Sequence, residues 1–167
     1  NYPELRRTLE AAGERFRSHS DAEAILALYR RHGVEMFTPM RGMFALALWD
    51  DERRSLLLAR DRLGEKPLYY YHDRRMIVFA SEIKALLAHP DVPRVSALDA
   101  HTLALYLAYA YLPAPLTAFK GIRALLPGHW LRVQDGKVEE EAYWTPPPNA
   151  PADPHAKLDS HRHDIHA

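Results

Sequence analysis

The chain has 167 residues, 47% hydrophobic and 26% charged, and its 22 basic and 22 acidic side chains leave no formal net charge. That length supports one domain with a real core, and the charge balance removes any electrostatic case for nucleic acid or an anionic membrane as partner. The absence of cysteine excludes disulfides, thiolate metal sites and a Cys nucleophile among these residues. No apolar run reaches the roughly 20 residues that cross a bilayer. The polar start, Asn1 to Arg6, lacks an apolar signal core. A cytoplasmic location is therefore the default expectation.

Leu5, Leu9, Ala12 and Phe16 recur at steps of three and four, so residues 3–16 read as an amphipathic helix with Pro3 in its first turn. After the polar break at Ser18-His19-Ser20, Ser20 is placed to cap a second helix, with Glu23 completing a capping box. Ile25, Leu26, Leu28 and Tyr29 supply its apolar face, and Gly33 suits its end. Two apolar runs, 43–49 and 55–60, flank the charged turn 50–54 and read as a buried antiparallel hairpin. The runs 68–71 and 76–80 repeat the pattern. Ser81 is expected to cap a helix from Glu82 to about Ala88, stopped by Pro90.

Residues 90–97 form a proline-bearing linker, and Asp99 to about Ala110 read as another helix. Residues 130–133 and 137–139, around Asp135-Gly136, make a third hairpin. From Pro146 the composition collapses into five prolines by residue 154, then His155, His161, His163 and His166. Residues 1–89 thus read as a domain core, 90–145 as the later part of that domain and a segment leading onward, and 146–167 as a tail without a packed core. Helices, paired hairpins and further helices imply an α+β class with antiparallel sheets.

Six strings then resemble one family in order along the chain. Asn1-Tyr2-Pro3-Glu4-Leu5-Arg6 resembles the "YNYxELR" segment of glutamine-hydrolysing asparagine synthetases, and His19-Ser20-Asp21-Ala22-Glu23 resembles their "HSDTE". Residues 41–50 resemble "NGMFAFALWD", 59–70 resemble "ARDRLGIKPLYY", and 79–86 resemble "FASEIKAL". Phe119-Lys120-Gly121-Ile122 with Leu126-Pro127-Gly128-His129 resembles the stretch leading into the synthetase domain. The resemblance implies a class II glutamine amidotransferase domain with an N-terminal-nucleophile-hydrolase fold, a four-layer αββα sandwich, of which this chain carries part.

In intact members an N-terminal cysteine attacks the glutamine amide, and the freed ammonia amidates aspartate or a related carboxylate with ATP and magnesium. The chain is expected to be truncated at both ends relative to that pattern. It lacks the nucleophile, the "NGE" oxyanion motif and the "SGGxDS" nucleotide loop, so by itself it is expected to be catalytically inert, to bind no cofactor and to expose strand edges.

The resemblance carries one binding residue over, Asp21, as receiver of the glutamine α-ammonium through a charge-assisted hydrogen bond. The plain alternative is a first-turn acid favoured by the helix dipole. Arg60, Asp61, Arg62 and Lys66 are expected to brace a loop that faces a partner domain, against the plain reading of a solvated hairpin loop. Ser81-Glu82 as a nucleophile–base pair gives way to helix capping. His161, His163 and His166 are weak metal candidates in a tail better read as non-specific. Expected partners are glutamine in the intact protein and either a second copy or a synthetase domain. The rival function is an amino-acid-binding or protein-interaction module on the same fold.

Overall fold

A computed structural model describes residues 1–98 and 100–147. Helix α1 covers Tyr2–Ala11 and α2 covers Asp21–His32, followed by a short 3-10 helix over Gly33–Phe37. Strands β1 (Ala45–Asp50), β2 (Ser55–Arg60), β3 (Tyr69–His72) and β4 (Ile77–Ala80) come next. Helices α3 (Ile83–Leu87) and α4 (Ala100–Tyr109) precede β5 (Ile122–Ala124), β6 (His129–Gln134) and β7 (Lys137–Ala142).

All pairing is antiparallel, in a four-stranded sheet of order β1-β2-β6-β7 and a three-stranded sheet of order β4-β3-β5. The expected hairpins at 43–60 and 130–139 are halves of one sheet, because β2 pairs with β6 from Ser55↔Gln134 to Ala59↔Trp130. The hairpin of β3 and β4 gains the three-residue β5 along its other edge. Each sheet therefore draws strands from both sides of residue 90.

Period-two alternation builds the layers. Leu57 and Ala59 of β2, with Trp130 of β6, face the layer of α1 and α2 and pack with Leu9, Ala27 and Phe37. The intervening Leu58 and Leu131 face the other sheet and pack with Leu68, Tyr70 and Leu125. On β3, Tyr70 points inward while Tyr69 and Tyr71 point to the far face, where Leu86 of α3, Val92 and Ile122 cover them. The order is helix, sheet, sheet, helix. Full burial of Leu57, Leu58, Leu125 and Leu131 contributes roughly 1.5–3 kcal/mol each. Between the sheets the Tyr70 hydroxyl donates to Glu140 (3.1 Å); burial, with the Glu140 charge added, pushes it up to about 12.

Local details depart from the sequence expectations in three places. Helix α1 stops at Ala11 rather than continuing to residue 16: Gly13 takes φ 93°, and Glu14 turns aside to pair with Arg31 and Arg30. Phe16 still joins the core, under the Arg6 guanidinium at 4.6 Å. Ser20 caps α2 by accepting from the Ala22 N–H (3.2 Å), but the capping box is replaced. Glu23 reaches past the cap to the Ser18 hydroxyl and to the Arg17 and Ser18 N–H groups, which together outweigh desolvation and hold its carboxyl below the ordinary value. At α3 the capping position is Glu82, without a side-chain cap bond, so Ser81 does not cap that helix.

Helix α4 matches the expected helix over the described residues and ends where Ala110 turns to φ 59°. Asp99, its expected first residue, lies outside the described residues. A helix apolar on nearly all sides is ordinarily buried, yet Leu103, Tyr106, Leu107 and Tyr109 of α4 are exposed. Trp49 on β1 and Phe79 on β4 are also exposed, each on a strand that is an edge among the described residues.

Candidate functional site

The first turn of α2 and the loop between the 3-10 helix and β1 form the two walls of a cavity of about 220 Å³. It is smaller than the roughly 300–1,000 Å³ of a drug-sized pocket and suits one amino-acid-sized group. Its floor is apolar, from Leu5, Ala24, Ile25, Leu28, Met40 and Phe44, and Asp21 and Arg41 are the charged side chains on its lining. Asp21 occupies the first helical position of α2, next to the cap Ser20, where the helix dipole favours an acid. It is exposed, and among the described residues its carboxylate has no hydrogen-bond or ion-pair partner.

The opposite wall is tied to the start of α1. The Asn1 side chain donates from Nδ2 to the Pro39 carbonyl (3.0 Å) and accepts at Oδ1 from the Arg41 N–H (2.8 Å). The Asn1 backbone nitrogen donates to the Arg41 carbonyl at 2.8 Å. Gly42 follows at φ 127°, a region that disfavours a side chain. Asn1 was not singled out by sequence reasoning. Its signal is the Pro3 two residues on, which removes the N–H that a capping Asn would ordinarily accept from.

Arg60 and Asp61 form a second polar centre at the end of β2. Arg60 donates to the carbonyls of Lys66 (2.8 Å), Leu125 (2.8 Å) and Gly64 (2.7 Å). Asp61 is 1% exposed and accepts the N–H groups of Leu63 and Glu65 on one oxygen and of Phe44 and Lys66 on the other. Burial pushes this carboxyl up, but the four N–H groups together outweigh it and hold it below the ordinary carboxylate value. Arg62 donates to the Thr38 carbonyl (2.8 Å) and lies over the Trp144 ring at 5.8 Å. Its Nε is buried without a partner. Lys66 takes part through its backbone alone, donating to Asp61 and accepting from Arg60. These groups lock the loop over residues 61–66, and none of them lines the cavity beside Asp21.

Ser81 is exposed, and Glu82 pairs with Lys84 on the surface, so no nucleophile–base contact forms there. His155, His161, His163 and His166 lie outside the described residues. Among the described residues no group of three His, Asp or Glu side chains is placed to hold a metal ion. No helix among them is long and apolar enough to cross a membrane. A larger cavity of about 940 Å³ opens beside α4, lined by Leu63, Leu98, Leu103, Tyr106, Tyr111 and Leu116 among others. The sequence reading named α4 as a helix but did not foresee this cavity.

Residues 1–144 match the family model described as the glutamine amidotransferase domain. Asparagine synthetase [glutamine-hydrolyzing] 3 of Bacillus subtilis (strain 168) is 37% identical over 145 residues, 86% of this chain and 23% of that protein. Asparagine synthetase [glutamine-hydrolyzing] 1 of the same organism is 36% identical over 146 residues, 86% of this chain and 22% of that protein. The solved glutamine phosphoribosylpyrophosphate (PRPP) amidotransferase from B. subtilis, complexed with ADP and GMP, superposes with a TM-score of 0.57 at 21% identity. That superposition covers 87% of this chain and 27% of the other, and it shows a shared fold. The chain spans less than a quarter of the length of these two curated relatives.

Proposed function

This chain belongs to the glutamine amidotransferase domain family, and from that premise we propose that it forms the part of a glutamine-hydrolysing domain that receives the α-amino group of glutamine. The observation that carries this reading is Asp21, a carboxylate without a protein partner at the rim of an apolar, amino-acid-sized cavity. An ammonium donates charge-assisted hydrogen bonds to such a group, and the apolar floor takes the methylenes of the ligand.

Hydrolysis converts the glutamine side-chain amide and water into glutamate and ammonia. The described residues contain no cysteine, so in this reading the nucleophile and the oxyanion donors come from outside them, and these residues bind and orient substrate. The ammonia then serves an ATP- and magnesium-dependent amidation of aspartate or a related carboxylate. The sequence holds no glycine-rich phosphate loop, and the described residues hold no metal-ligand cluster. In this reading ATP and magnesium belong to the synthetase part of the intact protein.

The test is Asp21→Asn in the intact protein. Losing a hydrogen bond to a charged group, roughly 1.5–3 kcal/mol, is expected to raise KM for glutamine by about 10- to 100-fold. Activity driven by added ammonia should be unchanged. An unaltered glutamine KM would sink the assignment. The isolated chain is expected to release no glutamate above the buffer rate, and measurable turnover would overturn its inert status.

A second reading, association with a synthetase domain or a second copy, is favoured by the cavity beside α4. Leu63 is 71% exposed and Leu107 74%, and neighbouring Leu103, Tyr106 and Tyr111 are exposed with them. Contiguous apolar surface of this kind marks an association face. Replacing Leu103 and Leu107 with Lys is expected to abolish the association in sizing experiments, and an unchanged elution volume would count against it.

A further inference from the structure

We propose that Asn1 is a positioning residue for the cavity beside Asp21, fixing the loop wall that faces it; the inference rests on the reading of Asp21 given above. The side chain of Asn1 is used in an unusual way. Asparagine at a helix cap ordinarily accepts from the N–H of the second or third helical residue. Here Pro3 is the second residue and has no N–H, while the N–H groups of Glu4 and Leu5 are taken by the Asn1 carbonyl. The amide is thereby free to grip another segment, and it does so at both ends.

Nδ2 holds the Pro39 carbonyl and Oδ1 holds the Arg41 N–H, so one side chain imitates the edge of a β-strand against residues 39–41. That segment needs a clamp. It follows the 3-10 helix, precedes β1, and contains Gly42 at φ 127°, a conformation that local sterics alone do not impose. Met40, Arg41 and Gly42 all line the cavity with Asn1 and Asp21. The loop wall is thus tied to the start of α1 by an amide 40 residues away in sequence.

Each end of the Asn1 amide, Nδ2 and Oδ1, is engaged by the loop. It acts on binding through the loop. Removing it leaves the loop able to drift from the closed wall, which lowers the occupancy of the binding-competent geometry without touching the reacting atoms.

The experiment uses the intact protein with Asn1→Ala, Gly42→Ala and the double variant, read by glutamine KM and kcat. Asn1→Ala is expected to raise KM roughly tenfold, with kcat within about twofold, from the loss of two hydrogen bonds. Gly42→Ala perturbs the same loop independently and should also raise KM. The double variant should fall short of the product of the two effects, because both act on one wall. An unchanged KM in Asn1→Ala, or a multiplicative double variant, overturns the inference. If Asn1→Ala does not fold, an unchanged KM in Gly42→Ala overturns it alone. Asp21→Asn separates the two readings. A raised KM there with none in Asn1→Ala rejects the clamp and keeps Asp21, whereas no change in Asp21→Asn rejects the site itself.

Discussion

Substituting Asp61 with Asn tests whether the loop after β2 is held by a carboxylate specifically. The side chain is isosteric, so packing is preserved and only hydrogen-bond polarity changes. Of the two Asp61 oxygens, one accepts Leu63 (3.2 Å) and Glu65 (2.9 Å), and the other accepts Phe44 (3.2 Å) and Lys66 (2.9 Å). A carboxamide satisfies one pair and turns an NH2 towards the other. Two donors are left facing a donor, at about 1–3 kcal/mol each, and partial rearrangement sets the expected loss at about 3 kcal/mol. Asp61→Ala strands all four and should cost about 4–5 kcal/mol, a large fraction of the roughly 5–15 kcal/mol that holds a domain together. With a urea slope of about 1.5 kcal/mol/M, Asp61→Asn lowers the unfolding midpoint by about 2 M.

The pH dependence supplies a second arm. The folded carboxyl sits below its ordinary value of 3.8, so its contribution is fully present above that pH and is lost as pH falls through the folded value. The gap between wild type and Asp61→Asn should therefore be widest near neutrality and shrink in acid. A neutral-pH midpoint within about 0.3 M of wild type, or a gap that grows in acid, refutes the reasoning.

Gly128→Ala should destabilise by about 2 kcal/mol or more, because Gly128 has φ 67° and an added Cβ meets the Trp144 carbonyl. Thermal unfolding checks this, and a melting temperature equal to wild type rejects it. The carboxyl of Asp50 is lowered to about 2 by the Arg53 N–H first, then by the Arg53 guanidinium and the Tyr29 hydroxyl. A depressed value stabilises above 3.8 and is lost towards about 2. Asp50→Asn should therefore flatten the acid limb of the stability profile, and an identical limb in the variant would exclude this cluster.

Much of the strand content was legible because Leu56, Leu57 and Leu58 form a continuous apolar run and both faces of β2 are buried. What joins the hairpins was not legible. The β2–β6 register is a long-range pairing with no local signature, and β5 is only Ile122-Arg123-Ala124, too short to show a period. The capping box failed because Ser18 turns back to offer Glu23 two donors at once. Exposure of α4 could not be read from composition, since apolar residues on every side argue for burial and nothing among the described residues covers them. Asp21 stood out only through family resemblance, because a first-turn acid has an ordinary helical explanation. The Asn1 clamp depends on which backbone lies nearby, which tertiary folding alone decides.

The pairing of β2 with β6 also sets a clock. Partners in that ladder lie from 71 residues apart, Ala59 to Trp130, to 79 apart, Ser55 to Gln134. At a synthesis rate of about 5–20 residues per second, the completed β1–β2 hairpin waits roughly 4–16 seconds for its third strand. Throughout that interval β2, the most buried strand, presents an unpaired edge and an uncovered Leu58 face, since only its Leu57 and Ala59 face meets helices already made. A nascent chain in this state is a natural client for a ribosome-bound chaperone, and slow codons between residues 60 and 129 would lengthen its exposure.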